Sequence, residues 1–255
     1  MTTQGVTIAT WNVNGIRARL PRVLEWLRTH PVDVLCMQET KVQDAQFPSQ
    51  GFEELGYRVT VHGQKSFNGV ALLTKESVDD VVRGMEGDAQ ARLVGATVGG
   101  IRVFSVYVPN GQAVGSEKYR YKLEWMASLR DLMQREVAMH GEVVVCGDFN
   151  VAPEPRDTYD PSVWEGGILC SEAEREALSA VRGVGLHDVY RAVHPDGEGF
   201  TWWDYRAGAF ARGWGIRLDH VYVTSSLLGR VGEVWVDVEA RRGEGASDHA
   251  PVVCQ

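Results

Sequence analysis

The sequence is poor in cysteine. Four occur among 255 residues, Cys36, Cys146, Cys170 and Cys254, and no two form a Cys-x-x-Cys pair. That count argues against a disulfide scaffold and against a cysteine-rich zinc site. No apolar run approaches the roughly 20 residues of a membrane span. The opening MTTQGVTIATWNV has no basic segment followed by an apolar one, so no secretory signal is expected. Linkers, low-complexity tracts and fixed-period repeats are missing too. The expectation is one domain over residues 1–255, cytoplasmic and reduced, with no membrane attachment and no obligate protein partner, as a monomer.

An excess of positive charge is also lacking. Acidic residues number 34 and basic residues 26, a net charge of −8. Proteins that coat nucleic acid through general attraction to phosphate are usually basic. The balance leaves room for an enzyme that gathers acids around metal ions and places a few bases nearby. Local basic clusters do occur: Arg17, Arg19 and Arg22; Lys118, Arg120 and Lys122; Arg241 and Arg242. Each is read first as solvated surface.

What the chain has in quantity is strand-forming sequence. Runs rich in Val, Ile and aromatics fall at Val6–Val13, Val32–Gln38, Val59–Val61, Val70–Thr74, Arg92–Val98, Ile101–Val108, Val143–Cys146, Phe200–Tyr205, Ile216–Val223, Gly232–Val238 and Ala250–Val253. Gly99-Gly100 reads as a hairpin turn. Helices are expected at Pro21–Arg28, with a proline near its start, at Glu117–His140 behind the N-cap Ser116, and at Ser171–Val181, which opens on the capping box Ser171-x-x-Glu174. Many strands and few helices suggest an α/β (α+β) architecture of layered sheets with helices outside.

Four segments share a pattern of apolar strand followed by polar residues: IATWNVNG, VLCMQETK, VVVCGDFN and SDHAPV. In Gly147-Asp148-Phe149-Asn150, residues two apart on extended chain point the same way, so Asp148 and Asn150 would share a site. Glu39 ends one strand, and Asn12 follows Thr10-Trp11 in the same manner. Asp248-His249 pairs a hard oxygen ligand with an imidazole that titrates near neutrality. Asp219 lies in an apolar strand and needs a partner. The donors Asn12, Glu39, Asp148 and Asp248 are oxygen only, a set that suits Mg²⁺ or Mn²⁺ rather than zinc. Such an ion beside a His–Asp pair is equipment for phosphoester hydrolysis.

The set WNVNGIRA, MQETK, NGVALLTK, YVPNG, GDFNVAP, TWWDYR, RLDHVYV and SDHAPV resembles the exonuclease III family of DNA-repair nucleases, in the family's order from residue 11 to residue 252. The resemblance implies the DNase I-like fold, a four-layer sandwich of two packed mixed β-sheets flanked by helices. It implies a Mg²⁺-dependent (or Mn²⁺-dependent) nuclease acting on duplex DNA at abasic sites and at blocked 3′ ends. In it, Glu39 is the principal metal carboxylate, with Asn12, Asp148, Asn150, Asp248 and His249 around the ion. Asp148 activates water, Asn150 and Tyr107 contact the phosphate, and Asp219 orients the catalytic His249. Asn14, Arg17, Asn110 and Lys118 match DNA-flanking positions, and Trp202 and Leu218 match the walls of a pocket for a sugar lacking its base. Ile216 stands where some relatives carry an aromatic residue, as does His220, to which no role is given. Trp202 is expected to face the pocket and Trp203 the interior. The alternatives are a phosphatase or phosphodiesterase acting on non-DNA phosphoesters, and a lesion-binding module without turnover.

Overall fold

A computed structural model describes residues 5–255. Its strands, in chain order, are β1 (Ile8–Asn12), β2 (Val34–Gln38), β3 (Arg58–His62), β4 (Val70–Thr74), β5 (Val78–Arg83), β6 (Leu93–Val98), β7 (Ile101–Tyr107), β8 (Val143–Asp148), β9 (Leu186–Asp188), β10 (Asp219–Thr224), β11 (Val234–Val236) and β12 (Val252–Cys254). The helices are α1 (Ile16–Thr29), α2 (Ser49–Glu53), α3 (Glu117–His140), α4 (Pro161–Trp164), α5 (Glu172–Arg182), α6 (Val189–Val193) and α7 (Ser225–Leu228).

The strands form two six-stranded sheets, in the orders β11-β12-β1-β2-β4-β3 and β5-β6-β7-β8-β10-β9. Each sheet contains one parallel pair, β1 with β2 and β7 with β8, among antiparallel neighbours. Period-2 alternation sorts the side chains into layers. Ile8, Val34, Cys36, Val70 and Leu72 of the first sheet meet Val94, Val103, Val144, Cys146, Val221 and Val223 of the second, forming the core between the sheets. The intervening residues Trp11, Leu35, Met37 and Leu73 turn outward against Val23, Trp26 and Leu27 of α1 and Phe52 of α2. On the far side, Phe104, Val143, Val145 and Tyr222 pack under Met126, Leu129 and Met133 of α3 and Leu178 of α5. The central strands are buried on both faces, which explains their unbroken apolar runs.

This parity sets up the site. Asn12 continues the inward series from Ile8 and Thr10, Asp148 continues Val144 and Cys146, and Asp219 precedes Val221 and Val223. All three polar groups therefore emerge at one end of the gap between the sheets. Gly147 makes the last step of β8 possible: a Cβ there would stand 1.9 Å from the carbonyl oxygen of Val106 on β7.

The long helix α3 has the expected bounds, and Ser116 caps it by accepting from the Tyr119 N–H. The Ser171/Glu174 capping box opens α5 as expected. Several elements differ. Phe200–Tyr205 is not a strand: Trp202 makes single bridges to Ile216 on one side and His249 on the other, both outside the two sheets, instead of running beside one neighbour. Gly232–Val238 contracts to β11. Helix α1 begins at Ile16, five residues before the expected start, with Pro21 inside it. Strand β5 escaped the pattern because VDDVVR is an exposed edge carrying two acids and a register shift between Asp79 and Val82.

Candidate active site

Tyr107, Asp148 and Asp219 stand side by side at the ends of three adjacent strands, because Tyr107 pairs with Asp148 and Asp148 with Asp219 in register. Across the gap, Asn12 of the other sheet donates from Nδ2 to Asp148 Oδ2 and to Glu39 Oε1, both at 2.9 Å. One amide thus ties the two sheets together at the site. Its Oδ1 accepts from the backbone N–H of Asn14 at 3.0 Å. Glu39 lies just past β2, held by main-chain bonds from Gly15 N–H to its carbonyl (2.7 Å) and from Ile16 N–H to that of Thr40 (3.1 Å), so the first turn of α1 fixes the acid.

The histidine is anchored from below. His249 Nδ1 donates to Asp219 Oδ2 at 2.7 Å, and its Nε2 is 3.7 Å from Asp148 Oδ2. The Trp11 indole N–H donates to the His249 carbonyl at 3.1 Å. Asp219 and its neighbour Leu218 both donate backbone N–H groups to Thr201 Oγ1, at 3.0 Å. Asp148 Oδ1 accepts the N–H of Asn150 at 2.9 Å. Asn150 donates from Nδ2 to the Val108 carbonyl (2.9 Å), and its Oδ1 accepts from Asn110 Nδ2 (3.2 Å). Glu39 and Asn150 both take left-handed backbone at φ 50°, a conformation that costs about 1–3 kcal/mol and clusters at working sites.

Electrostatics follow from this packing. Burial raises the Asp148 pKa, to about 7; Asp219 and Glu39 add to the rise and His249 opposes it. Burial works against the His249 imidazolium, but Asp219 and Asp148 overcome it and hold the pKa near about 10. For Glu39, burial pushes upward, yet the Lys41 ammonium, the Asn12 amide and His249 bring the net shift below the ordinary value. Burial, with the charges of Glu39 and Asp148, pushes the Tyr107 phenol well up, so it stays protonated as a donor.

The oxygen donors fit a hard divalent ion. Glu39, Asn12 and Asp148 share one hydrogen-bonded cluster, and among the described residues the only cation touching Glu39 is Lys41, 2.8 Å from Oε2 and also bonded to Asn14 Oδ1. Asp248 lies on the other side of Asn14, which donates to its Oδ1 at 2.9 Å. Ligand atoms of Asp148, Asp219 and His249 also lie within 4.8 Å of one another. There the carboxylate of Asp219 already holds His249 Nδ1, which marks that trio as an acid–imidazole relay rather than an ion cage.

Beside this cluster is an apolar wall of Ile216, Leu218, Leu169 and Ala152, with Trp202 packed against it. The Trp202 indole N–H donates to Asp248 Oδ2 at 3.0 Å. Trp203 turns inward, 5% exposed, against Phe210. Behind the wall, Arg217 is buried and bonded to Asp157 (2.7 Å), Asp188 (2.9 Å) and His220 Nδ1 (3.1 Å). Burial and the Arg217 guanidinium keep His220 neutral, and its Nε2 donates to the Val151 carbonyl at 3.0 Å, tying it to the segment after Asn150.

Asn110 and Lys118 are exposed and line a groove of about 660 Å³ with Tyr107, Arg92 and Phe67, leading away from the cluster. Arg17 is exposed on α1, and no contact joins it to the cluster. Two residues of the basic clusters contradict the solvated reading: Lys122 is 0% exposed and Arg241 7% exposed. Lys41, Thr201 and Phe67 were not singled out from the sequence. Lys41 could have been, as the one base within MQETK.

Residues 9–249 match the endonuclease/exonuclease/phosphatase family. The exodeoxyribonuclease III of Haemophilus influenzae is 33% identical over 258 residues, covering 95% of this chain and 97% of its own. The chain belongs to this family, in its exodeoxyribonuclease III branch. Solved structures agree with that placement. A 3′ phosphatase from Neisseria bound to a product DNA hairpin superposes with a TM-score of 0.97 at 40% identity, covering 98% of this chain and 99% of the other. An AP endonuclease from Archaeoglobus fulgidus does so with a TM-score of 0.95 at 40% identity and the same coverage. As a member of the exodeoxyribonuclease III branch the chain is a phosphodiester hydrolase.

Proposed function

We propose that this protein is a Mg²⁺-dependent (or Mn²⁺-dependent) DNA-repair nuclease that hydrolyses the phosphodiester 5′ to an abasic site in duplex DNA, leaving a 3′-hydroxyl. The same site would clear blocked 3′ ends and trim 3′ termini. The observation that carries this reading is the placement of the Asp148–His249–Asp219 relay directly beside an apolar wall of Ile216 and Leu218 under Trp202, whose indole is bonded to Asp248. The relay supplies hydrolysis. The wall accepts a sugar stripped of its base, and an extruded nucleotide without a base costs less to unstack.

Asp148 takes a proton from the attacking water or orients it, a role suited to a carboxylate whose pKa is near about 7. His249, kept as imidazolium by Asp219, donates to the phosphoryl oxygens. Asn150 and the protonated Tyr107 hold the phosphate from either side. A divalent ion would be held by Glu39 with Asn12, Asp148 and Asp248 near it, with Asn150 and His249 at the edge of that set; bound there, it offsets charge on the phosphoryl oxygens. Asn14, Arg17, Asn110 and Lys118 would flank the DNA, with Arg17 and Lys118 releasing counterions where they neutralise phosphates. No helix among the described residues is long and apolar enough to cross a membrane. We place the enzyme in the cytoplasm as a single-domain monomer.

The test is a duplex with one abasic site, run beside a nicked duplex ending in a 3′-phosphate and an undamaged duplex, with Mg²⁺ and with chelator. Incision of the first and clearing of the second, both lost in chelator, are expected. Clearing without incision would restrict the enzyme to 3′ ends. Turnover of small phosphomonoesters with intact DNA would favour the non-DNA phosphatase reading, and binding without any cleavage the lesion-binding one.

A further inference from the structure

Lys122 is the one lysine with no exposed surface, and its three ammonium protons have three acceptors. Nζ donates to the carbonyl of Asn150 at 2.7 Å, to the carbonyl of Asn110 at 3.1 Å, and to Glu174 Oε1. Two loops meet at this ammonium: the one after β7 that carries Asn110, and the one after β8 that carries Asn150. The side chains of the same two residues bond each other at 3.2 Å on the opposite face.

Glu174 is equally committed. Oε1 accepts from the Leu169 N–H at 3.1 Å, and Oε2 from the Ser171 N–H and hydroxyl at 3.0 and 2.6 Å. Leu169 takes a left-handed backbone at φ 73° and packs into the apolar wall with Ile216 and Leu218. The carboxylate therefore holds the wall while the ammonium holds the amide-bearing loops. The connection spans residues 12, 28 and 52 apart in sequence.

We propose that Lys122 and Glu174 form a buried clasp that sets the distance between the pocket wall and the two loops that carry Asn150, which holds the phosphate, and Asn110, which flanks the DNA. Both are positioning residues and neither touches substrate. The proposal rests on the reading of Asn110, Asn150 and the wall given above. A nucleotide seated against Leu169 must present its 5′ phosphate to Asn150 at a fixed span, and displacements near 1 Å can cost roughly 100-fold in rate.

Removing one charge alone would strand the other in the interior, so the informative variant is the double change Lys122→Met with Glu174→Gln. It leaves no unpaired buried charge but gives the two carbonyls no donor. Three quantities are read: the melting temperature, kcat and KM on abasic duplex, and hydrogen exchange of the segments 108–112 and 148–152 compared with β2. The expected result is a lowered melting temperature with cooperative unfolding retained, since two buried carbonyls lose their donor, kcat down roughly 10- to 100-fold with KM little changed, and faster exchange confined to the two segments. A kcat within about twofold of the parent with exchange unchanged in both segments overturns the clasp. Should the double variant fail to fold, Lys122→Arg serves, since it keeps both charges paired while moving the donors off the two carbonyls: segments 108–112 and 148–152 should exchange faster, and parent-like exchange there overturns the proposal. Hydrogen exchange needs no DNA. A parent that exchanges as described but does not cut abasic duplex would reject the functional reading and leave the clasp standing.

Discussion

Asp148 and Asp219 face each other in register across the antiparallel pair β8 and β10, and His249 reaches both, at 3.7 Å from one and 2.7 Å from the other. A single imidazolium thus compensates two buried acids. If Asp219 acts only through His249, the two should behave as a unit. Asp219→Asn and His249→Asn should each lower kcat, and the double variant should be little worse than the more damaged single, since residues acting together are non-additive. Full additivity in the double-mutant cycle would deny the pairing.

The same trio predicts a bell-shaped pH profile. A base works only when ionised, so activity should rise with pH through the Asp148 pKa of about 7. A donor works only when protonated, so activity should fall as pH passes the His249 pKa of about 10. Both limbs belong to the coupled cluster and not to one residue. A divalent ion near Asp148 favours its carboxylate, so rising Mg²⁺ should move the lower limb to lower pH. His249→Gln should remove the upper limb, which a kcat/KM profile of parent and variant would show.

His220 makes a prediction about stability alone. Burial first, and the Arg217 guanidinium second, lower its pKa from 6.5 to about 4; Asp188 and Asp157 oppose them. The unfolded chain therefore binds a proton that the folded chain refuses across this window. Its contribution to stability is present above about pH 6.5 and lost as pH falls toward 4. His220→Phe should flatten that slope in melting temperature while leaving activity near neutrality largely intact. An unchanged slope would show that His220 takes up its proton without cost.

Trp202 and Trp203 should separate recognition from stability. Trp202 is half-buried against the apolar cluster of Ile216 and Leu218, and on the proposed reading Trp202→Ala should lower kcat/KM on abasic duplex with a modest shift in melting temperature. Trp203 is buried against Phe210, and its truncation should cost roughly 3–5 kcal/mol of stability. Thermal melts and abasic-site kinetics on both variants test this, and the reverse pattern would put the wrong indole in the pocket.

Glu39 and Asp148 were legible in the sequence because each closes an apolar strand, and Asp219 because it stands as a lone acid in one. Asp148 and Asn150 do share a site, but through the left-handed turn at Asn150 and its N–H bond to Asp148 rather than through strand alternation, and α3 could be bounded from Ser116 and its helical spacing. Lys122 was not legible. Its neighbours Lys118 and Arg120 are exposed, and its acceptors lie on other elements, two of them main-chain carbonyls with no signature in residue type. The 200–205 segment failed differently: Trp202 makes single bridges to Ile216 and His249, from two segments outside the sheets, a non-local pattern that local propensity reads as an ordinary strand.

The central claim is that Asp148 drives hydrolysis of DNA at this cluster, and Asp148→Asn tests it most directly. The change removes a proton acceptor at nearly constant shape, and its single amide oxygen keeps either the bond from Asn12 Nδ2 or that from the Asn150 N–H. Single-turnover cleavage of a duplex with one abasic site, measured with Mg²⁺ beside the Kd for the same duplex, should show a rate lower by roughly 10²–10⁴-fold with binding preserved. A variant that cuts within a few-fold of the parent at unchanged Kd would contradict the account.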